Sequence, residues 1–249
     1  MSHVSAPAPE PTPNARLVAA QLRPDVVLCC GEDKTAFVGA LRAVGLPADP
    51  ATPDFRGFTA WTFPALTVVL APIGTGSVEP ILNEILTTAP IERIILVGTA
   101  GALGPRRLPK GEASPISEAW LAGTGLDREV ACQPLRPEWP DLPAGDASAS
   151  IVSSDFYYGF APAKAPGDYP HRLPRLRSDF ERLSCFVDLV DMEVGQFYAL
   201  CRLIPERPGL RFLAIKGASN AVENHGEQND HAPAVLLDCL RQALALLRT

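Results

Sequence analysis

The chain has 249 residues, 47% of them hydrophobic, which is enough to bury one substantial core and suits one large domain. Its net charge of -6, from 28 acidic against 22 basic residues with no clustered Lys/Arg stripe, argues against a nucleic-acid footprint or a membrane-surface role. No apolar stretch approaches the roughly 18 residues of a membrane span, and the opening "MSHVSAPAPEPTPN" has no apolar region of the kind a signal peptide needs.

These features predict a cytoplasmic protein with a disordered Pro/Ala-rich leader over 1–20 and a single domain over 21–249. The six cysteines, Cys29, Cys30, Cys132, Cys185, Cys201 and Cys239, form no CxxC pair and no zinc-like spacing with histidine, so they are expected to be buried reduced thiols.

In chain order, "DVVLCC" (25–30) predicts a buried strand. Asp33 to Val44 follows as a helix, with Asp33 as N-cap and Ala36, Phe37, Ala40, Leu41 and Val44 on one face. "LTVVLAPIG" (66–74) is the second strand. Ser77 to Ala89 is a second helix, with Ser77 as N-cap and Val78, Ile81, Leu82, Ile85 and Leu86 at helical spacing. Further strands are expected at "RIILVG" (93–98), "ASIVSSD" (149–155), "FVDLVDME" (186–193) and "LRFLAIKGAS" (210–219), with helices over 193–204 and 232–247.

Two stretches break the rhythm: "GPRRLPKGEASPISEAWLAGTG" and the Pro-rich segment from Gly159 to Asp179, which predict long loops serving as lids or subunit contacts. Strands alternating with helices define an α/β fold. The expected architecture is a three-layer αβα sandwich about a mixed, mostly parallel sheet.

Three motifs carry chemistry. In "GTAGALG" (98–104) the glycines would suit a dinucleotide fold only if a helix started there. Pro105 and Pro109 follow instead, so the glycines serve to bring a backbone close to a ring. "VDMEVG" (190–195) places two carboxylates where a strand becomes a helix. An ionised Glu193 accepts both hydroxyl protons of a vicinal diol, with Met192 against the sugar's apolar face; alternatively Glu193 simply complements the helix dipole. "FLAIKGASNAVENHGEQNDHA" (212–232) turns from apolar to polar at a strand's C-terminal end, where open α/β sheets bind ligands. His225 and His231, with Glu223 and Asp230, match no zinc spacing, so no metal is expected.

Together, "GTAGAL", "VSSDFYYG", "VDMEVG" and "KGASNAVE", in that order, resemble the nucleoside phosphorylase and nucleosidase superfamily. That superfamily includes purine nucleoside phosphorylases, methylthioadenosine/S-adenosylhomocysteine nucleosidases and futalosine hydrolases. The resemblance covers most of the chain from Val26 onward. It implies that Thr99, Ala100 and Gly101 border the nucleophile and the base, that Tyr157 stacks on the base, and that Met192 and Glu193 hold the ribose. Gly74, Ser154 and Asp191 would line the substrate, and Asn220 would face the purine's imidazole and six-position edge. It also implies a homo-oligomer that uses no cofactor.

Three departures from the superfamily pattern shape the expected activity. Leu96 stands where the phosphorylases carry a phosphate-binding arginine, which favours water as nucleophile. Ala36 stands where the methylthioadenosine enzymes carry a glutamate, leaving Glu32 or Asp33 to position the water. Asn220 replaces the aspartate used for adenine and complements a 6-oxopurine, donating to its carbonyl and accepting from N7–H. The expected activity is therefore hydrolysis of the N-glycosidic bond of an inosine- or futalosine-like nucleoside. The alternatives are a phosphate-dependent phosphorylase and a non-catalytic nucleoside-binding protein.

Overall fold

The computed structural model describes residues 22–52, 57–104, 108–124, 133–140, 142, 148–157, 174–204, 209–222 and 228–249. Strands and helices alternate along the first half of the chain: β1 (Asp25–Cys30), α1 (Lys34–Ala43), β2 (Thr59–Thr62), β3 (Leu66–Ala71), α2 (Thr75–Thr88) and β4 (Arg93–Ala102). The second half adds β5 (Ala113–Leu121), β6 (Ala149–Ser153), α3 (Pro174–Leu183), β7 (Leu189–Asp191), α4 (Val194–Leu203), β8 (Arg211–Ala221) and α5 (Gln228–Leu247).

The eight strands form one mixed sheet in the order β2-β3-β1-β4-β7-β6-β5-β8, and β4 also pairs with β8. That extra pairing closes β4, β7, β6, β5 and β8 into a five-stranded barrel, from which β1, β3 and β2 extend as an open wing. β1, β3, β4 and β8 run parallel to one another. β7 runs antiparallel to β4.

Strands such as "DVVLCC" are apolar at consecutive positions because both faces are covered. Val27 and Val68 pack with Phe37 and Leu41 of α1 and Leu236 and Leu240 of α5 on one side. Leu28 and Val69 pack with Ile81 and Ile85 of α2 and Phe197 and Tyr198 of α4 on the other. Each fully buried side chain of this size contributes roughly 1.5–3 kcal/mol. A third cluster joins Phe180 and Leu183 of α3 to Val152 and Val190. Leu96 is fully buried in the α2/α4 cluster.

Several boundaries differ from the sequence expectation. β4 does not stop at Gly98 but runs through "GTAGA" to Ala102, because β8 supports it along its whole length. The stretch expected as a loop after it contains β5, which pairs with β8 over Ala113 to Pro115 and with β6 from Ile116 onward. Pro115, which cannot donate to a ladder, sits at that handover.

α3 begins inside the Pro-rich segment, with Pro174 at the first helical position, where a missing N–H costs nothing. β2 pairs antiparallel with β3 at the sheet's edge and is not apparent in the sequence periodicity. α2 starts at Thr75 with Gly74 as N-cap, two residues before the expected start, and the Ser77 hydroxyl bonds back to the Ile73 carbonyl. α5 starts at Gln228, a turn earlier than expected. Cys29, Cys30, Cys201 and Cys239 are buried free thiols, Cys185 is exposed, and Cys132 lies outside the described residues.

Barrel closure depends on a close backbone approach at Gly217, where a Cβ would lie 2.5 Å from the Glu112 carbonyl oxygen and 2.8 Å from Val235 Cγ1. Gly217→Ala should therefore destabilise the fold by about 2 kcal/mol, the usual cost of overpacking. Thermal denaturation checks this, and an unchanged midpoint would show that the closure tolerates a methyl group.

Candidate active site

A cavity of about 230 Å³ opens where β1, β3, β4, β6, β7 and β8 converge, lined by residues from all six strand ends or the turns that follow them. Its position follows from the way β4 changes partners. Along one edge β4 pairs with β1 up to Val97 and with β7 from Gly101. Between these ladders the backbone of Gly98 to Ala100 has no strand on that edge, and its polar groups turn to side chains. The Thr99 N–H donates to Glu32 Oε1 at 2.5 Å, and the Thr99 carbonyl accepts from Lys216 Nζ at 3.4 Å.

Lys216, on β8, is fully buried, and its ammonium lies 3.1 Å from Asp191 Oδ2 and 3.1 Å from Glu193 Oε2. Gly98 keeps this region open, since a Cβ there would stand 3.2 Å from Glu32 Oε1 and 3.3 Å from Lys216 Nζ. Burial alone would lower the Lys216 pKa, but Glu193, Asp191 and Glu32 outweigh it and hold the ammonium well above the usual lysine range. Burial, the largest influence, pushes the Glu193 carboxyl above the usual carboxylate range, and Lys216 only partly offsets it.

Glu193 is the N-cap residue of α4, yet its side chain makes no cap bond. Its Oε1 instead accepts from the Gly74 N–H at 2.9 Å and its Oε2 from Lys216. Its carboxylate therefore sits at the positive end of the α4 dipole while its hydrogen bonds go to groups outside that helix. The α4 start is held by Asp191, which accepts from the Val194 N–H, and by the Ser153 hydroxyl, which accepts from the Gly195 N–H and donates to Asp191 Oδ1. Beneath the site, Tyr198 ties α4 to the barrel. Its hydroxyl donates to the Ile116 carbonyl at 2.6 Å and accepts from the Ala214 N–H at 3.0 Å.

Of the residues singled out in the sequence, Glu32, Thr99, Ala100, Tyr157, Asp191, Met192, Glu193 and Asn220 line the cavity, together with Cys30, Gly31, Ile73 and Ser219. Four others do not line it. Asp33 is exposed and caps α1 through the Ala36 N–H, so of the two acids in the first loop only Glu32 borders the cavity. Gly74 acts through its N–H on Glu193, and Gly101 lies under the Tyr157 hydroxyl. Ser154 shapes the turn after β6, accepting from the Phe156 N–H while its own N–H donates to the Asp191 carbonyl.

Glu223 and His225 lie outside the described residues. Among the described residues, no helix is long and apolar enough to cross a membrane. Sequence reasoning missed Lys216. The available signal was a lysine at the last position of an apolar strand run, two strand positions short of Ala218 and four short of Asn220.

No protein-family model matches the chain, and no curated protein matches it. Solved structures do. The chain is similar to futalosine hydrolase of Helicobacter pylori at 12% identity and a TM-score of 0.61, over 92% of this chain and 98% of that one. It is similar to a putative 5'-methylthioadenosine/S-adenosylhomocysteine nucleosidase from Francisella philomiragia at 10% identity and a TM-score of 0.62, over 90% and 98% of the two chains. The purine nucleoside phosphorylase of Toxoplasma gondii, solved with immucillin-H, matches at 18% identity and a TM-score of 0.56, over 92% and 95%. The chain has the fold shared by nucleosidases and nucleoside phosphorylases.

The lysine cluster yields a pH-dependent prediction. Lys216→Met leaves buried carboxylates without their cation, a change that typically costs about 3–5 kcal/mol. Uncompensated carboxylates bind protons more tightly in the folded state, so the variant's deficit against wild type should shrink as pH falls from about 8 to about 5. Melting curves across that range check the sign, and a deficit that stays constant or grows on acidification would contradict it.

Proposed function

We propose that this protein is an enzyme that hydrolyses the N-glycosidic bond of a purine-type nucleoside, releasing free base and sugar, with a 6-oxopurine nucleoside of the inosine or futalosine kind as substrate. The observation that carries this reading is the charge of the cavity: Glu32, Asp191 and Glu193 border it with one ammonium, Lys216, among them. The shared fold with nucleosidases and phosphorylases supports the same reaction class.

Cleavage of a glycosidic bond passes through an oxocarbenium-like sugar, and an excess of fixed negative charge stabilises it. Each Glu193 oxygen already holds one donor, Gly74 N–H or Lys216, and keeps further lone-pair capacity for a sugar hydroxyl. That arrangement suits both hydroxyls of a ribose. Glu32, steadied by the Thr99 N–H, is the group that takes a proton from the attacking water. The water oxygen bonds to C1′ as the C1′–N bond breaks, and the base departs with the bonding pair and takes up one proton from solvent, which balances the proton that Glu32 removes from the water and later returns to solvent. Met192, beside Glu193 in the lining, would cover the sugar's apolar face.

The same charge disfavours phosphate as nucleophile. Lys216 is the one cation among the described lining and neighbouring groups, and two carboxylates already occupy it. Leu96, where a phosphorylase would place its arginine, is buried in the core. Base release should therefore proceed at the same rate in phosphate-free buffer as with phosphate added, measured by chromatography of the free base. Strict dependence on phosphate, with a sugar 1-phosphate as product, would make the protein a phosphorylase. Binding of nucleosides with no release of base would make it a binding protein.

Glu193→Gln keeps the side-chain shape while removing the charge that faces the sugar. Loss of one such electrostatic group is worth about 3 kcal/mol in the barrier, on the order of a hundredfold in kcat/KM. Steady-state kinetics on a ribonucleoside checks the magnitude, and unchanged turnover would remove Glu193 from the mechanism.

A further inference from the structure

The β7–α4 junction carries two buried carboxylates, and their surroundings differ. Asp191 takes three donors from the protein on its two oxygens: the Ser153 hydroxyl at Oδ1, and the Val194 N–H and the Lys216 ammonium at Oδ2, each of these two at 3.1 Å. Glu193 takes two, one on each oxygen: the Gly74 N–H at 2.9 Å and the same ammonium at 3.1 Å. A carboxylate offers about four lone-pair sites. Glu193 therefore keeps room on both oxygens, while Asp191 is nearly filled from within the chain.

Lys216 stands 3.1 Å from each carboxylate, and neither has it alone. Its place is fixed from the Asp191 side, because Asp191 is itself anchored to β6 through Ser153 and to α4 through Val194. Two negative charges on one positive charge leave the trio with a surplus, and side chains this inaccessible to solvent are little screened by it. A carboxylate that must share its cation, with a like charge nearby, binds protons more strongly than one with a cation of its own. It is a stronger acceptor for a hydroxyl for the same reason.

We propose that Asp191 is a positioning residue which, anchored by Ser153 and the start of α4, draws the Lys216 ammonium partly off Glu193 and thereby makes Glu193 a strong acceptor for the sugar hydroxyls. This rests on the nucleosidase reading of the cavity and gives the other carboxylate of "VDMEVG" a task within it. Glu193 touches the sugar. Asp191 acts on the sugar only through Lys216 and Glu193.

Among the described residues, the charged and titratable groups near Glu193 are Lys216 on β8, Asp191 on β7 and Cys30 on β1, and α2 supplies the Gly74 N–H. Glu32, in the turn after β1, acts on Lys216, and Tyr198 of α4 lies near Asp191. Burial first raises the Glu193 carboxyl, Lys216 lowers it, and Asp191 raises it again. Removing the Asp191 charge should therefore let Glu193 ionise at lower pH.

The experiment follows the Glu193 carboxyl by NMR in protein made with isotope-labelled glutamate, its signal assigned by its loss in Glu193→Gln. Asp191→Asn keeps the shape and an oxygen for the Val194 N–H while removing the charge. Asp191→Ser, another residue that can cap a helix start, serves where the amide disturbs the fold. Either should move the Glu193 titration to lower pH. Ser153→Ala takes hydrogen bonds from the start of α4 yet leaves the Asp191 charge, so it should leave the titration in place even where it lowers the melting temperature. In steady-state kinetics with inosine, Asp191→Asn should lower kcat/KM roughly tenfold, within the range by which members of one charge network couple. In a Glu193→Gln background the same change should cost little.

A Glu193 titration that stays in place in the Asp191 variants, or that Ser153→Ala moves as far, would overturn the proposal and leave Asp191 as a support of the α4 start alone. Base release by wild type together with such an unmoved titration would keep the hydrolase reading and remove Asp191 from it. A titration that moves as expected in a protein that releases no base would uphold the sharing of the ammonium while the hydrolase reading fails.

Discussion

An ammonium group with no access to water must be met by acceptors from the protein, and in this chain that requirement joins the sheet to the site. Lys216 projects from β8 and finds its partners on β4, through the Thr99 carbonyl, and at the β7–α4 junction, through Asp191 and Glu193. Each of those partners has a second task. Asp191 holds the first N–H of α4, Glu193 holds the turn before α2 through Gly74, and the Thr99 N–H steadies Glu32. The cation therefore sets the relative positions of four segments that no local interaction would bring together. A buried charge cluster of this kind is costly to assemble and still more costly to break at one member, which makes it a strict constraint on the loops around the cavity.

Why the cluster sits where it does follows from the barrel. A strand that pairs fully on both edges spends its backbone on its neighbours. β4 has a gap on one edge, between the end of its ladder with β1 and the start of its ladder with β7. The small residues there, Gly98 to Gly101, let side chains approach the exposed backbone: Glu32 and Lys216 at one end, Tyr157 at the other. The same few residues thus serve both the acidic part of the cavity and the part around Tyr157.

The acidic part and the neutral part divide the proposed chemistry. Fixed negative charge favours a sugar that becomes cationic and repels a phosphate dianion, whereas Tyr157 and Asn220, hydrogen-bonded to each other, line another part of the cavity without adding charge. Cys30 lies against the same cluster, but burial first and the nearby Glu193 second hold its thiol well above the usual cysteine range, which disfavours the nucleophilic thiolate.

Local periodicity determined much of this protein. The apolar runs of β1, β3 and β8 and the one-sided helices α1 and α2 are visible in the chain, as are the paired carboxylates of "VDMEVG" and the small-residue run at Gly98 to Gly101. The elements that went unseen are those whose formation depends on distant partners. β5 carries Pro115 in mid-strand and is acceptable only because its pairing passes from β8 to β6 at that point. The site divides the same way. Glu32 and Asp33 are adjacent acids with equal claims by sequence, and tertiary structure separates them because the α1 N-terminus takes Asp33 while Thr99 takes Glu32. Lys216 reads in sequence as the polar end of an apolar strand. Its full burial was decided by Asp191 at the end of β7 and Glu193 at the start of α4, because a charge can leave water only where opposite charges and acceptors are already in place.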